Sequence, residues 1–187
     1  MNAYYINDST ILYEQETRDN YQISQMNTRT GHVAEKYDLY TPHTNAFDTY
    51  YSKMCIHSSK RRLASAMCFL NQVNFMDADG SQRKSASLYA DAEICEDRQK
   101  RTAYYCDITS NDRHVYALYM NQLLEKDSYR TPKPMEIHVF DWEGDFQGKL
   151  VVPEYIVNIT VNEDDTYLYG RNTDCDVFRY RMEGAFQ

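Results

Sequence analysis

The chain has 187 residues, 42% of them hydrophobic, with a formal net charge of −8 and a pI near 5.1. That is enough apolar material for one domain with a sizeable core, which sets disorder aside. The acidic balance argues against nucleic acid or an anionic membrane as partner, because both call for a basic patch and the one cluster present, Lys60, Arg61 and Arg62, is short.

From the N-terminus, "AYYINDSTILYEQ" (3–15) reads as two short strands about an Asn-Asp corner, anchored on Ile6, and the next strands lead to the glycine corner "MNTRTG" at Gly31. "YYSKMCIHSSKRRLASA" (50–66) repeats the plan with Ile56 as anchor and reaches "FMDADG" at Gly80. "ASLYADAEICEDRQKR" (86–101) has the most helix-like pattern and is expected to be a connector. "YYCDITSNDRHVYALY" (104–119), anchored on Ser110, leads to "FDWEG" at Gly144. "YIVNITVNEDDTYLYG" (155–170), anchored on Val161, leads to "YRMEG" at Gly184.

The anchors are 50, 54 and 51 residues apart, and each lies 25, 24, 34 and 23 residues before its glycine. The polar insertion "LLEKDSYRTP" (123–132) accounts for the longer third interval. Aligned without a gap, Asp107 falls on Asn158, Ile108 on Ile159, Asn111 on Asn162 and Tyr116 on Tyr167, while Lys53, Met54, Ile56 and His57 take the same places in the second copy.

Strand assignments rest on β-branched and aromatic runs bounded by turn residues. Asn and Asp suit the corners because they tolerate left-handed backbone and bond their own turn. A unit of four short strands repeated every fifty residues is a β-propeller blade. Blades stack face to face, so "HVYALYM" and "EIHVFDW" are apolar or aromatic at adjacent positions. Eighteen tyrosines suit interfaces that end in water. The acidic stretch "DWEGDFQG" holds the place of the other glycine corners while its acids vary, so it reads as a hairpin corner and not a metal loop.

Chemistry-bearing patterns are sparse. The five cysteines, Cys55, Cys68, Cys95, Cys106 and Cys175, show no CxxC spacing, and an odd number cannot pair fully within one chain. The histidines, His32, His43, His57, His114 and His138, show no HxH or HExxH spacing. His57 and His114 fall at first corners, where a solvated polar residue is expected, and His138 reads as a hydrogen-bonded interface histidine. The pairs Asp77/Asp79, Asp164/Asp165 and Asp174/Asp176 lack an EF-hand pattern and read as solvated turns. No metal and no cofactor is therefore expected, no catalytic residue is assigned, and no run is long and apolar enough to span a membrane. The opening "MNAYYINDST" shows no signal-peptide pattern.

One constellation stands out. Lys53, Asp107 and Asn158 are equivalent in three successive repeats, just before the anchor of the inner strand. Inner strands line the axial channel, so these polar groups form a candidate binding wall. The alternative is that they are channel residues held in water without a ligand.

The phrases "IHVFDWEGDFQGKLVV", "NITVNEDDTYLYG", "HVYALY" and "HSSKRRLASAMCFLNQVNFMDADG" resemble the TolB-like six-bladed propeller family, common in Bacteroidetes. The resemblance implies an all-β fold of four-stranded antiparallel blades, about 3.5–4 of them here, in an incomplete ring of six-bladed type. One partial propeller domain would span 1–187, with repeats near 1–46, 47–98, 99–153 and 154–187. It also implies a periplasmic or cell-surface setting, although no lipoprotein signal is present.

The expected function is a non-catalytic binding or scaffold module, taking a protein or a small carbohydrate or peptide ligand. The alternative is a hydrolase or lactonase-like enzyme with its site in the axial funnel. An open arc would leave two apolar and aromatic blade faces uncovered, so the chain either self-associates through them or is a truncated product of a longer gene.

Overall fold

The computed structural model describes residues 3–17, 19–40, 49–57, 59–91, 93–95, 97, 100–124 and 133–182. Their strands pair only with sequence neighbours, in four antiparallel meanders. Blade 1 holds β1 (Ala3–Asn7), β2 (Thr10–Glu16), β3 (Tyr21–Asn27) and β4 (Val33–Asp38). Blade 2 holds β5 (Ser52–His57), β6 (Arg62–Met67), β7 (Val73–Asp77) and β8 (Gln82–Ala86). Blade 3 holds β9 (Thr102–Ser110), β10 (His114–Leu123), β11 (Met135–Asp141) and β12 (Phe146–Val152). Among the described residues blade 4 has three strands, β13 (Asn158–Val161), β14 (Tyr167–Arg171) and β15 (Val177–Arg181). None of these sheets closes on itself. The architecture is all-β, an incomplete propeller-like arrangement.

Three separate cores lie between the four sheets, and the two-residue period of a strand sends alternate side chains to different ones. Along β6, Leu63 and Met67 enter the core shared with blade 1, while Ala64 and Ala66 enter the core shared with blade 3. Along β10, Val115, Ala117 and Tyr119 face blade 2, and Tyr116 and Leu118 face blade 4. This is why the middle strands of blades 2 and 3 are buried at consecutive positions, whereas β2 and β14 alternate. Each fully buried large side chain contributes roughly 1.5–3 kcal/mol.

The glycine corners join blades as well as strands. Gly31, Gly80 and Gly144 have φ of 70°, 80° and 82°, a region that disfavours side chains. In the "DWEGDFQG" corner, the Gly144 N–H donates to Asp141 O, and Asp141 Oδ1 accepts from the N–H groups of Glu143 and Asp145. It is a hairpin corner. A Cβ on Gly144 would stand 2.6 Å from Phe75 Cδ2 of blade 2, and one on Gly80 would stand 3.0 Å from Tyr37 Cβ of blade 1. Arg62 pairs with Glu143 and Lys84 with Asp145 across the same seam. Gly184 lies outside the described residues.

Three expectations need correction. The anchor of the first repeat is displaced by one: Ile6 packs into the core between blades 1 and 2, and a bulge between Tyr5 and Asn7 makes Tyr5 the partner of Ile11, as Ile56 is of Leu63. A one-residue slip turns a side chain to the other face, so Tyr5, not Ile6, holds the anchor position and is 74% exposed. The ungapped match between the last two repeats also fails after the corner. Tyr116 pairs with Thr109 while Tyr169, not Tyr167, pairs with Thr160; the corner of blade 4 is two residues longer, and an even shift preserves the face. Finally, the open face of blade 4 carries Thr160, Tyr169, Arg171, Val177 and Arg179, so it is aromatic and basic and not broadly apolar.

Candidate functional site

The inner strands β5, β9 and β13 run side by side, and each ends in a polar corner. Lys53, Asp107 and Asn158 sit at matching positions on them, opposite Ala66, Leu118 and Arg171 of the second strands. The structure brings two of the three into contact. Asp107 Oδ2 accepts from the Ile159 N–H at 2.8 Å and from Asn158 Nδ2 at 3.3 Å, tying blade 3 to blade 4. Arg171 donates to Asn158 Oδ1.

Burial raises the Asp107 pKa, and these hydrogen bonds together with the Lys53 charge oppose the rise. Burial alone would lower the Lys53 pKa, but a hydrogen bond to Tyr51 and nearby negative charge leave it raised. Its ammonium lies 5.5 Å from the Tyr51 ring centroid. Asp107 thus acts as a strut between inner strands.

Beyond these residues the corners form a concavity of about 490 Å³ lined by Ile56, His57 and Ser59 of blade 2, Ser110, Asn111 and Asp112 of blade 3, and Val161 and Glu163 of blade 4. Three anchors of the repeat, Ile56, Ser110 and Val161, meet here. Each corner is braced on its neighbour: Lys60 Nζ donates to Asp112 O at 3.4 Å, Arg113 Nη2 to Asp164 O at 2.9 Å, and Trp142 Nε1 to Asn111 O at 2.9 Å.

His57 does not match its expected solvated state. Its side chain is 4% exposed, with the Trp142 ring edge-on at 5.1 Å. Ser59 Oγ lies 3.2 Å from Nδ1, whereas the buried Nε2 makes no hydrogen bond, and Asp112 Oδ1 stands 3.8 Å from it. The legible signal was the exchange of Asn for His: the equivalent corner positions are Asn7, Asn111 and Asn162.

Other titratable groups are accounted for by packing. Asp165, left-handed at φ 58°, accepts from Tyr116 Oη at 2.6 Å and Arg113 Nη2 at 2.8 Å, and pairs with His114 Nδ1 at 3.0 Å. Burial opposes ionisation of Asp165, and the hydrogen bonds from Tyr116, Asn111 and His114 outweigh it and lower the pKa. His138 is buried between blades 2 and 3, bonded to Tyr105 Oη at 3.0 Å and stacked on Tyr119. All five cysteines are free. Burial pushes the Cys55 and Cys68 thiols up to about 12, which keeps them protonated and poor nucleophiles. Among the described residues, no group of three or more His, Cys, Asp or Glu could hold a metal ion; His43 lies outside them.

No protein-family model matches the sequence, and no curated protein matches it. Solved structures do. A DUF4221-family member from Bacteroides vulgatus superposes with a TM-score of 0.59 at 15% identity, covering 96% of this chain and 63% of that one. The computationally designed Ika4 protein gives 0.54 at 11% identity, covering 94% of this chain and 86% of its own. Hydrazine synthase of Kuenenia stuttgartiensis gives 0.54 at 9% identity, covering 87% and 40%. The chain therefore spans 63% of the Bacteroides protein and 40% of the synthase chain. At these identities the likeness is one of fold.

Proposed function

We propose that the chain is a non-catalytic propeller module that binds a protein, or a small carbohydrate or peptide, on its axial surface and in its full-length form serves at the bacterial cell envelope. One observation carries the binding reading: three successive blades each deliver a corner to one polar concavity beside the inner strands. Convergent polar groups in a concavity are the usual form of a ligand site. Lys53, Asp107 and Asn158 would form its deeper wall. Amide NMR titration with a panel of monosaccharides and tripeptides tests this. Shifts confined to 56–59, 110–112 and 161–163 support it, and no shift with any member counts against it. Asp107→Ala is expected to weaken such binding; unchanged binding removes the deeper wall from the site.

A Ser–His–Asp form of the hydrolase alternative meets a geometric objection. Ser59, His57 and Asp112 line up, but in a working triad the carboxylate is buried and orients the base while the nucleophile faces the free ring nitrogen. Here Asp112 is 94% exposed and Ser59 belongs to the turn of His57 itself. The envelope setting and the TolB-like relationship rest on the strand phrases and on the fold likeness to the Bacteroides protein. Recovery of the full-length protein solely from the cytosol of its native host would count against the envelope setting.

Association between copies is a second reading, favoured by the open face of blade 1. There Tyr5 pairs with Ile11 and Ile11 with Met26, an apolar row across three strands. Light scattering on a sizing column tests it, and a stable monomer at high concentration argues against it.

A further inference from the structure

Three of the four first corners begin with asparagine, and each uses its side-chain oxygen to hold backbone N–H groups of its own turn: Asn7 that of Ser9, Asn111 those of Arg113 and His114, Asn162 that of Tyr167. The corner of blade 2 begins with His57, whose Nδ1 meets Ser59 Oγ within the turn. In the tautomer with Nδ1–H donating to that hydroxyl, Nε2 carries a lone pair. It is buried and makes no hydrogen bond, on a residue that lines the funnel mouth. A buried polar atom left without a partner costs free energy that a ligand's donor would recover.

The same mouth presents the carboxylates of Asp112 and Glu163 and the hydroxyls of Ser59 and Ser110. The neighbouring cations already hold partners: Lys60 donates to the backbone carbonyl of Asp112 itself, and Arg113 to Asp164 O and Asp165. The charged side chains that line the concavity are these two carboxylates, on a chain of net charge −8.

We propose that the funnel mouth captures a primary ammonium group, from a lysine side chain or a peptide N-terminus, with His57 Nε2 and the Asp112 and Glu163 carboxylates as its acceptors. This rests on the binding reading above and gives it a ligand class. An ammonium offers three N–H donors to three acceptors. An anionic ligand would meet two like charges.

The test is a titration of the imidazole and backbone ¹⁵N resonances with Nα-acetyl-lysine amide, glycinamide, N-acetylglucosamine and Nα-acetyl-glutamate amide. The expected result is a shift of His57 Nε2 and of the 56–59, 110–112 and 161–163 amides with an amine, and with neither of the other two. Response to the lysine derivative alone identifies a side-chain amine, and response to glycinamide alone a chain terminus. His57→Asn installs the residue of the other three corners and is expected to keep the spectrum while weakening amine binding at least about tenfold. Asp112→Asn, at an exposed side chain, is expected to do the same even if the first variant misfolds. Shifts with the sugar or the glutamate derivative alone, or amine binding unchanged in Asp112→Asn, overturn the ammonium assignment and leave the binding reading standing. No mouth shift with any of the four overturns both.

Discussion

His138 makes the stability of the fold depend on pH in a calculable way. Burial between blades 2 and 3 is the main cause that lowers its pKa from 6.5 to about 4, with Glu136 opposing and the Lys149 charge assisting. The sign follows from that depression. As pH falls, the unfolded chain takes up the proton first, so this contribution is fully present above about 6.5 and is lost on the way down to about 4. Between pH 7.5 and 5 the linkage relation gives a loss of about 2 kcal/mol from this one imidazole. Urea unfolding at the two pH values, followed by emission of the sole tryptophan, Trp142, measures it; that ring is buried against the same interface. His138→Gln cannot take up the proton, so the wild type is expected to lose about 2 kcal/mol more than the variant over this interval. The comparison holds even if the variant is less stable throughout. Parallel losses in the two proteins would refute the reasoning.

Gly144→Ala forces a left-handed alanine and places its Cβ 2.6 Å from Phe75, with an expected loss of about 2–4 kcal/mol in urea unfolding. Gly31→Ala meets nothing within 4 Å and is expected to lose only about 1 kcal/mol from the backbone; equal losses would show that the seam contact carries no cost. Asp165→Asn keeps a residue tolerant of its φ but weakens charged hydrogen bonds, for about 1.5–3 kcal/mol at pH 7. Because the Asp165 pKa is lowered in the fold, that difference is present at neutral pH and is expected to shrink as pH falls through the acidic range below 3.8, which a urea series in acid reads directly. Ile11→Lys on the open face of blade 1 is expected to lower any concentration-dependent mass in light scattering, and an unchanged mass would move the association elsewhere.

Much of the fold was legible because a blade buries both flanks. That leaves runs such as "HVYALYM", where Tyr116 and Leu118 face one core and Val115 and Ala117 the other. Glycine corners were legible for a steric reason, since left-handed backbone at Gly31, Gly80 and Gly144 selects one residue type. Register was less so. Strand parity hides an even slip, as with Tyr116 and Tyr167, and a bulge moved the first anchor from Ile6 to Tyr5 with no mark in composition.

At the candidate site, sequence alignment placed Asp107 and Asn158 at one level, and the structure joins them by a hydrogen bond that no pattern of residue types encodes. His57 was visible as a corner residue but not as a buried one, because its burial comes from Trp142, eighty-five positions away, folding over it.

Since each core binds only a pair of adjacent sheets, cohesion along the chain is additive from neighbour to neighbour, as in a short stack of plates. Removing an end plate severs one contact zone and removing a central plate severs two. Amide protons of β6, β7, β10 and β11 are therefore expected to exchange slowest, with β1 and β15 fraying first and the funnel corners of blades 2 and 3 held by the most persistent part of the molecule.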